Sequence, residues 1–271
     1  MSTELSSTEP TSRILLECRE LSAGYGEIAV VHHLDLKVEA GQVVTLVGAN
    51  GAGKSTTLLT LAGAMPPLGG EVLLFGSPTR APLHQRARAG LSLVTEERSV
   101  IMELTAAQNL RLAKVSNESA ISVFPELQRL LHRPAGMLSG GEQQMLTVAR
   151  ALRRRAKLLL ADELSLGLAP RVVERLLAAL RAAADEQGVG VLLVEQHIRQ
   201  ALAVADYGYV MQRGRVVLSG PASELRDRQG EIEKWYLAAQ PNDADLTDRR
   251  RFSDSKTSSN GGVAGENHRT S

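Results

Sequence analysis

An α/β fold built around a phosphate-binding loop is what this sequence predicts, and three observations carry the prediction. Short apolar runs at residues 43–47, 91–95, 157–161 and 190–194 have the look of buried strands, and segments with helical spacing lie between them. The first run passes through a glycine-rich turn into the helical pattern of residues 55–61, and Gly48, Gly53, Lys54 and Ser55 meet the pattern G-x-x-x-x-G-K-[ST]. The third run ends in Asp162-Glu163, two carboxylates at the carboxyl end of a buried strand, where open α/β sheets place their ligands.

Composition sets the outer limits. With 271 residues and 43% hydrophobic content, the chain can bury a sizeable core. Its 31 Lys and Arg nearly cancel 30 Asp and Glu, and aromatic residues make up 3%, so neither charge nor base stacking argues for nucleic acid as a partner. Cys18 is the single cysteine and sits in an alternating apolar stretch, which predicts a buried thiol in a reducing compartment. Residues 1–12 are polar and carry acids, unlike a signal peptide, and no apolar run approaches the ~18 residues of a membrane span.

Taken in order, residues 1–12 are expected to be disordered. Residues 14–21 and 34–38 alternate apolar with polar, as half-buried antiparallel strands do, with Tyr25 in a glycine-flanked turn between them. In the loop Gly48-Ala49-Asn50-Gly51-Ala52-Gly53-Lys54-Ser55-Thr56, glycines free the backbone to turn its N–H groups around an anion, and the following helix adds its own unpaired N–H groups. Lys54 suits the β- and γ-phosphates of a nucleotide, and the Ser55 hydroxyl suits the accompanying Mg²⁺. Gly69-Gly70 marks a turn before a strand at 71–75, and a helix at 83–89 should end at Gly90. The strand at 91–95 then leads into the charged loop Glu96-Glu97-Arg98.

Thr105 and Gln108 have capping-box spacing, so a helix should start there. Residues up to 137 look irregular, with Pro125 suited to a first helical turn and Pro134 a breaker; this is a small helical insertion. Ser139 and Glu142 repeat the capping-box spacing ahead of a long helix to about residue 154, and Gly140-Gly141 behind the cap is unusual unless something must approach the backbone closely. At the end of the 157–161 strand, Asp162 is the candidate for Mg²⁺ and Glu163 for orienting or deprotonating a water. Pro170 opens a helix to Gln187, Gly188 closes it, and the 190–194 strand ends in Glu195-Gln196-His197. Residues 207–212 and 215–218 form a hairpin, 222–238 a last helix, and the polar stretch 240–271 a disordered tail.

Together these segments resemble the ATP-binding subunits of ABC transporters: a phosphate loop, LSGGEQQ ahead of a helix, a strand ending in Asp-Glu and a polar cluster after the next strand, in that family's order. VTLVGANGAGKST, LSGGEQQMLTVARAL and SLGLAP bring the likeness closest to the ATPase subunits of branched-chain amino acid importers. The resemblance implies one nucleotide-binding domain at 13–239, with a helical part at about 98–155. It implies that ATP and Mg²⁺ bind, that Tyr25 stacks on adenine, and that Glu96 takes the place of a glutamine at the metal site. Ser139, Gly140, Gly141, Glu142 and Gln143 would face the nucleotide of a second ATP-binding subunit, identical or related. Glu163 would be the catalytic carboxylate, and Gln196, or His197 one place later, the γ-phosphate sensor. Permease subunits, an extracytoplasmic solute-binding protein and a place on the cytoplasmic face of the inner membrane are implied as well. Leu164 in place of proline, Ala169 in place of aspartate, Gln196 in place of histidine and a short 112–138 segment depart from the family's pattern. Two other readings stand beside this one: a soluble ABC-type ATPase that remodels protein or nucleic acid, and a weakly hydrolysing regulatory subunit.

Overall fold

The computed structural model describes residues 14–239 apart from residues 98, 154 and 155. The expectations for residues 1–12 and 240–271, and the exact edges of the helical insertion, lie outside the described residues.

The chain opens with an antiparallel pair, β1 (Ile14–Tyr25) and β2 (Ile28–Glu39), joined at Gly26-Glu27. Both strands are longer than the alternation in the sequence suggests. Glu20 and His33 take positive φ (49° and 50°), and the register shifts between Cys18 and Leu21, so the alternation breaks while the pairing continues. Tyr25 is thereby the last residue of β1 rather than part of a turn. There follow β3 (Val43–Gly48), α1 (Lys54–Ala62), β4 (Gly69–Leu74), β5 (Ser77–Pro78), α2 (Leu83–Ala89) and β6 (Leu91–Val94).

The insertion holds α3 (Ala106–Leu112), α4 (Asn117–Val123) and two 3-10 turns at Pro125–Leu130 and Ala135–Met137. Its start is fixed by a complete capping box, in which Thr105 accepts from the Gln108 N–H and Gln108 accepts from the Thr105 N–H. Asn109 is fully buried and ties the approach to α3 together, accepting from the Ile101 N–H and donating to the carbonyls of Ile101, Leu104 and Thr105. The stretch that looks irregular in sequence is therefore ordered around Asn109 and the buried Phe124, Leu127 and Leu130.

After it come α5 (Gly140–Arg153), β7 (Leu158–Asp162), α6 (Pro170–Gln187), β8 (Gly190–Glu195), α7 (Ile198–Val204), β9 (Tyr207–Gln212), β10 (Arg215–Pro221), α8 (Ala222–Asp227) and α9 (Gln229–Ala239). The helix expected over 222–238 is interrupted at Arg228, whose guanidinium pairs with Glu231 across the break at 2.9 Å. None of the helices among the described residues is long and apolar enough to cross a membrane.

Two sheets result. One has the order β2-β1-β4-β5 and is antiparallel; the other has the order β10-β9-β3-β8-β7-β6, parallel except for the β9-β10 hairpin at its edge. The central strands are buried on both faces, which is why they appear as unbroken apolar runs rather than as alternation. Val44, Leu46, Leu192 and Val194 pack toward the β1-β2 sheet and α1, while Val43, Val47, Leu159 and Leu193 pack in the core that contains α5, α6 and the insertion. The carboxyl ends of β3, β7 and β8 thus finish side by side between two cores.

Candidate active site

The glycine loop leaves β3 under tight constraint. A Cβ on Gly48 would lie 2.6 Å from the Met211 carbonyl oxygen, so the strand can turn here only without a side chain. Gly53 holds φ at 104° as the residue before α1, and the Thr57 N–H returns to its carbonyl at 2.9 Å. Across the loop, the Gly214 N–H donates to the Ala52 carbonyl at 2.9 Å and the Gly214 carbonyl accepts from the His32 N–H at 2.8 Å. The turn between β9 and β10 thereby braces the loop from behind.

Lys54 is buried, yet its ammonium reaches three oxygens: the carbonyls of Gly48 at 2.9 Å and Ala49 at 3.3 Å, and Glu163 Oε1 at 3.3 Å. It stands at a cleft of about 400 Å³ lined by Asn50, Gly51, Gly53, Lys54, Ser55 and Thr56, with Val30, Glu96, Glu163, Leu166 and Gln196 around them. Residues from the ends of β3 and β8, from the 163–166 loop and from the loop after β6 converge on one space. A cation with two backbone carbonyls and one carboxylate for partners can exchange the weaker of these for phosphate oxygens.

Asp162 lies just beneath. Burial pushes its carboxyl above the usual aspartate range, opposed by the Ser55 hydroxyl; the Glu163 charge adds to the rise and the Lys54 charge opposes it. Its Oδ1 is buried without a hydrogen-bond partner. An orphaned carboxylate oxygen beside a hydroxyl, both hard donors, fits Mg²⁺ held by few protein ligands together with phosphate oxygens. Among the described residues, no group of three His, Cys, Asp or Glu side chains makes a ready cage. Glu96 is exposed and lines the same cleft.

Glu163 takes an unusual backbone conformation, φ 44°, and its N–H donates to the Val194 carbonyl of β8 at 2.9 Å. At the end of β8, Gln196 is half-buried and faces the cleft, whereas His197 is exposed, precedes α7 and is not part of the lining. Tyr25 is 59% exposed at the hairpin tip, beside Ile28 at 74%, and β2 continues from there to Val30 in the cleft wall. Gly48, Ala49 and Ala52 belong to the loop but not to the lining.

Ser139, Gly140, Gly141, Glu142 and Gln143 contribute nothing to this cleft. Ser139 is exposed and caps α5: Glu142 accepts from the Ser139 N–H and hydroxyl, and Ser139 Oγ accepts from the Glu142 N–H at 3.3 Å. Gly141 has a partner within the chain, since a Cβ there would sit 3.0 Å from the Val172 side chain on α6. Close packing between α5 and α6 thus accounts for the second glycine. Gln143 points inward, donating to the carbonyls of Ala135 at 2.9 Å and Leu138 at 3.3 Å, so its side chain holds the motif in place rather than presenting itself outward.

Comparison with known proteins decides the family. The ABC transporter family model matches residues 31–165. The branched-chain amino acid transport ATP-binding protein BraG of Pseudomonas aeruginosa is 38% identical over 221 residues, covering 78% of this chain and 94% of the relative. This chain belongs to the ABC transporter ATP-binding family. A probable branched-chain amino acid transport ATP-binding protein, LivF of Archaeoglobus fulgidus, is 34% identical across 82% of the cassette and 98% of its own length. The lipopolysaccharide export ATP-binding protein LptB of Acidithiobacillus ferridurans is 33% identical, with 83% and 98% covered. Among solved structures, an ATP-binding subunit of an ABC transporter superimposes with a TM-score of 0.70 at 28% identity, covering 83% of the cassette and 99% of that chain.

Two features of the cassette's site have no signal in its sequence motifs. One is the Gly214 brace, formed between residues 162 positions apart. The other is Glu195, 1% exposed, whose two oxygens accept from the Ser165 N–H at 3.1 Å and the Ser165 hydroxyl at 2.6 Å. A glutamate closing an apolar run looks like a strand end facing solvent; here β8 continues through it and carries it into the interior.

Proposed function

We propose that this chain is the ATP-hydrolysing subunit of an importer for branched-chain amino acids or a related small polar solute. The observation that carries the reading is the match to two branched-chain amino acid transport ATP-binding proteins over 94% and 98% of their own lengths, at 38% and 34% identity. As an ABC ATP-binding subunit the chain is an ATPase coupled to transport, and its partners are transporter subunits that cross the membrane.

The site's residues divide the work as follows. Loop N–H groups and the start of α1 receive the phosphates, and Lys54 trades the Gly48 and Ala49 carbonyls for β- and γ-phosphate oxygens. Tyr25, exposed at the hairpin tip, stacks on the adenine. Ser55 and Asp162, with Glu96 facing them, would hold Mg²⁺, which when bound neutralises charge on the β- and γ-phosphates. Glu163 orients a water and takes its proton as the water attacks the γ-phosphorus, giving ADP and inorganic phosphate. Gln196 donates from its amide to a γ-phosphate oxygen and accepts from the water. Ser139, Gly140 and Gly141 lie outside their own cleft and Ser139 is exposed, which suits a role against the nucleotide of a second ATP-binding subunit, with Glu142 and Gln143 fixing their shape.

In this reading the chain sits on the cytoplasmic face of the inner membrane and works with permease subunits and an extracytoplasmic solute-binding protein. The match to LptB favours one other cargo, a lipopolysaccharide moved by export. Reconstitution with candidate permease subunits from the same organism tests the choice. ATP-dependent uptake of leucine into proteoliposomes supports import, and extraction of lipopolysaccharide without amino acid uptake overturns it.

A further inference from the structure

Among the described residues, Glu195 is the one buried carboxylate beside the cleft that the reaction, as described, leaves unused. Both its oxygens are taken by a single residue, Ser165, and no Lys or Arg among the described residues pairs with it. An uncompensated carboxylate in the interior is costly, and a leucine or glutamine would be easier to bury there. Its position explains what it does. Glu195 precedes Gln196, which faces the cleft, and Ser165 follows Glu163 by two residues.

The backbone on either side of Glu163 is therefore stitched to the end of β8. On one side, the Glu163 N–H donates to the Val194 carbonyl at 2.9 Å; on the other, Ser165 is held by Glu195 through both N–H and hydroxyl. Between those two anchors Glu163 keeps φ at 44°, a conformation that a non-glycine residue adopts only when its surroundings enforce it, and its carboxylate meets Lys54 at 3.3 Å. The loop beyond hangs from the same point, since the Leu168 N–H returns to the Ser165 carbonyl at 3.2 Å and Leu166 lines the cleft.

We propose that Glu195 and Ser165 are positioning residues for ATP hydrolysis: their paired hydrogen bonds set the distance between the Glu163 carboxylate and the Gln196 amide across the cleft. The inference rests on the reading of Glu163 as the group that handles the attacking water. Neither residue lines the cleft, so ATP binding through the glycine loop is expected to be independent of them. Misplacing a catalytic group by about an ångström can cost on the order of a hundredfold in rate.

The test uses the full-length chain, with turnover, KM and equilibrium binding of a fluorescent ATP analogue measured alongside thermal melting. Glu195→Leu fills the same volume and removes the buried charge. Loss of the buried charge and loss of both Ser165 acceptors act in opposite directions on its melting temperature; it is expected to stay folded and to bind the analogue within about threefold, while kcat falls by about tenfold or more. Glu195→Gln keeps an acceptor for the Ser165 N–H and gives the hydroxyl a donor, and is expected to recover most of kcat. Ser165→Ala should lower kcat in the same direction as Glu195→Leu, and Ser165→Thr, which retains the hydroxyl, should recover it. A stable Glu195→Leu chain with parental kcat overturns the proposal, as does a Glu195→Gln chain as slow as Glu195→Leu. Glu163→Gln is run beside them: full activity there removes the underlying reading of Glu163, whereas an inactive Glu163→Gln with an unaffected Glu195→Leu removes the positioning pair alone.

Discussion

The glycine loop and the LSGGEQQ motif are both helix starts rich in glycine, yet the chain treats them in opposite ways. The loop is enclosed: Gly48 abuts Met211, Gly214 braces Ala52, and Lys54 is buried against Glu163. The motif is turned outward, with Ser139 exposed, its cap completed by its own Glu142, and Gln143 anchoring it from behind. One helix start faces a cleft that its own chain completes, and the other lies outside that cleft with Ser139 exposed. The difference separates nucleotide binding, a property of one chain, from hydrolysis, which in the proposed reading needs two.

Substitutions can break that contrast at chosen points. The largest effect is expected from Glu163→Gln, which retains shape and loses the base: turnover should drop by about 10²–10⁴-fold in a phosphate-release assay, with analogue binding unchanged. Lys54→Ala attacks the enclosed side instead. Removing the charge aimed at the β- and γ-phosphates should weaken binding by roughly a hundredfold, measured by equilibrium titration of a fluorescent ATP analogue.

A smaller effect separates the neighbours at the end of β8. Gln196 faces the cleft and His197 does not, so Gln196→Ala should lower kcat by about tenfold at nearly constant KM, and His197→Ala should leave both near the parental values. A severe loss confined to His197→Ala would transfer the sensor role to the histidine.

How far the sequence reveals this arrangement depends on how local the cause is. The helices Leu83–Ala89 and Pro170–Gln187 begin and end where glycine and proline say they should, and both capping boxes form as spaced. The loop, Asp162-Glu163 and the Gln196-His197 pair could be placed at one sheet edge in advance because parallel strands finish together, though only Glu163 and Gln196 of the four line the cleft. Other features depend on contacts that no window of sequence contains. The bulges at Glu20 and His33 carry β1 on to Tyr25, Asn109 organises a stretch without periodicity, and Val172 explains Gly141 from another helix. The short helix Ile198–Val204 is too brief for its spacing to stand out. Glu195 is hardest to foresee, since its partner lies 30 residues away and its burial contradicts its charge.

That burial gives the smallest effect, one of pH. Burial pushes the Glu195 carboxyl above the ordinary glutamate range; the Ser165 bonds and His197 oppose the rise, and the charge of Glu163 adds to it. A carboxyl raised in the folded state contributes stability that is fully present below its unfolded value of ~4.3 and is lost as pH climbs through the folded value. Glu195→Gln does not titrate. Its melting temperature should therefore gain on the parent's as pH rises from about 4.5 to 7. A constant difference across that range would mean that the carboxyl is not raised.

The contrast between an enclosed loop and an outward motif is tested most directly by mass in solution. Light scattering of the Glu163→Gln chain, with and without saturating ATP and Mg²⁺, should show the mass double when nucleotide is present, because hydrolysis no longer reopens the pair. Ser139→Arg on that background should bind the ATP analogue as before and remain a monomer. A nucleotide-bound Glu163→Gln chain that stays monomeric, or a Ser139→Arg chain that still doubles its mass, would contradict the assignment of the outward motif to a second subunit's nucleotide.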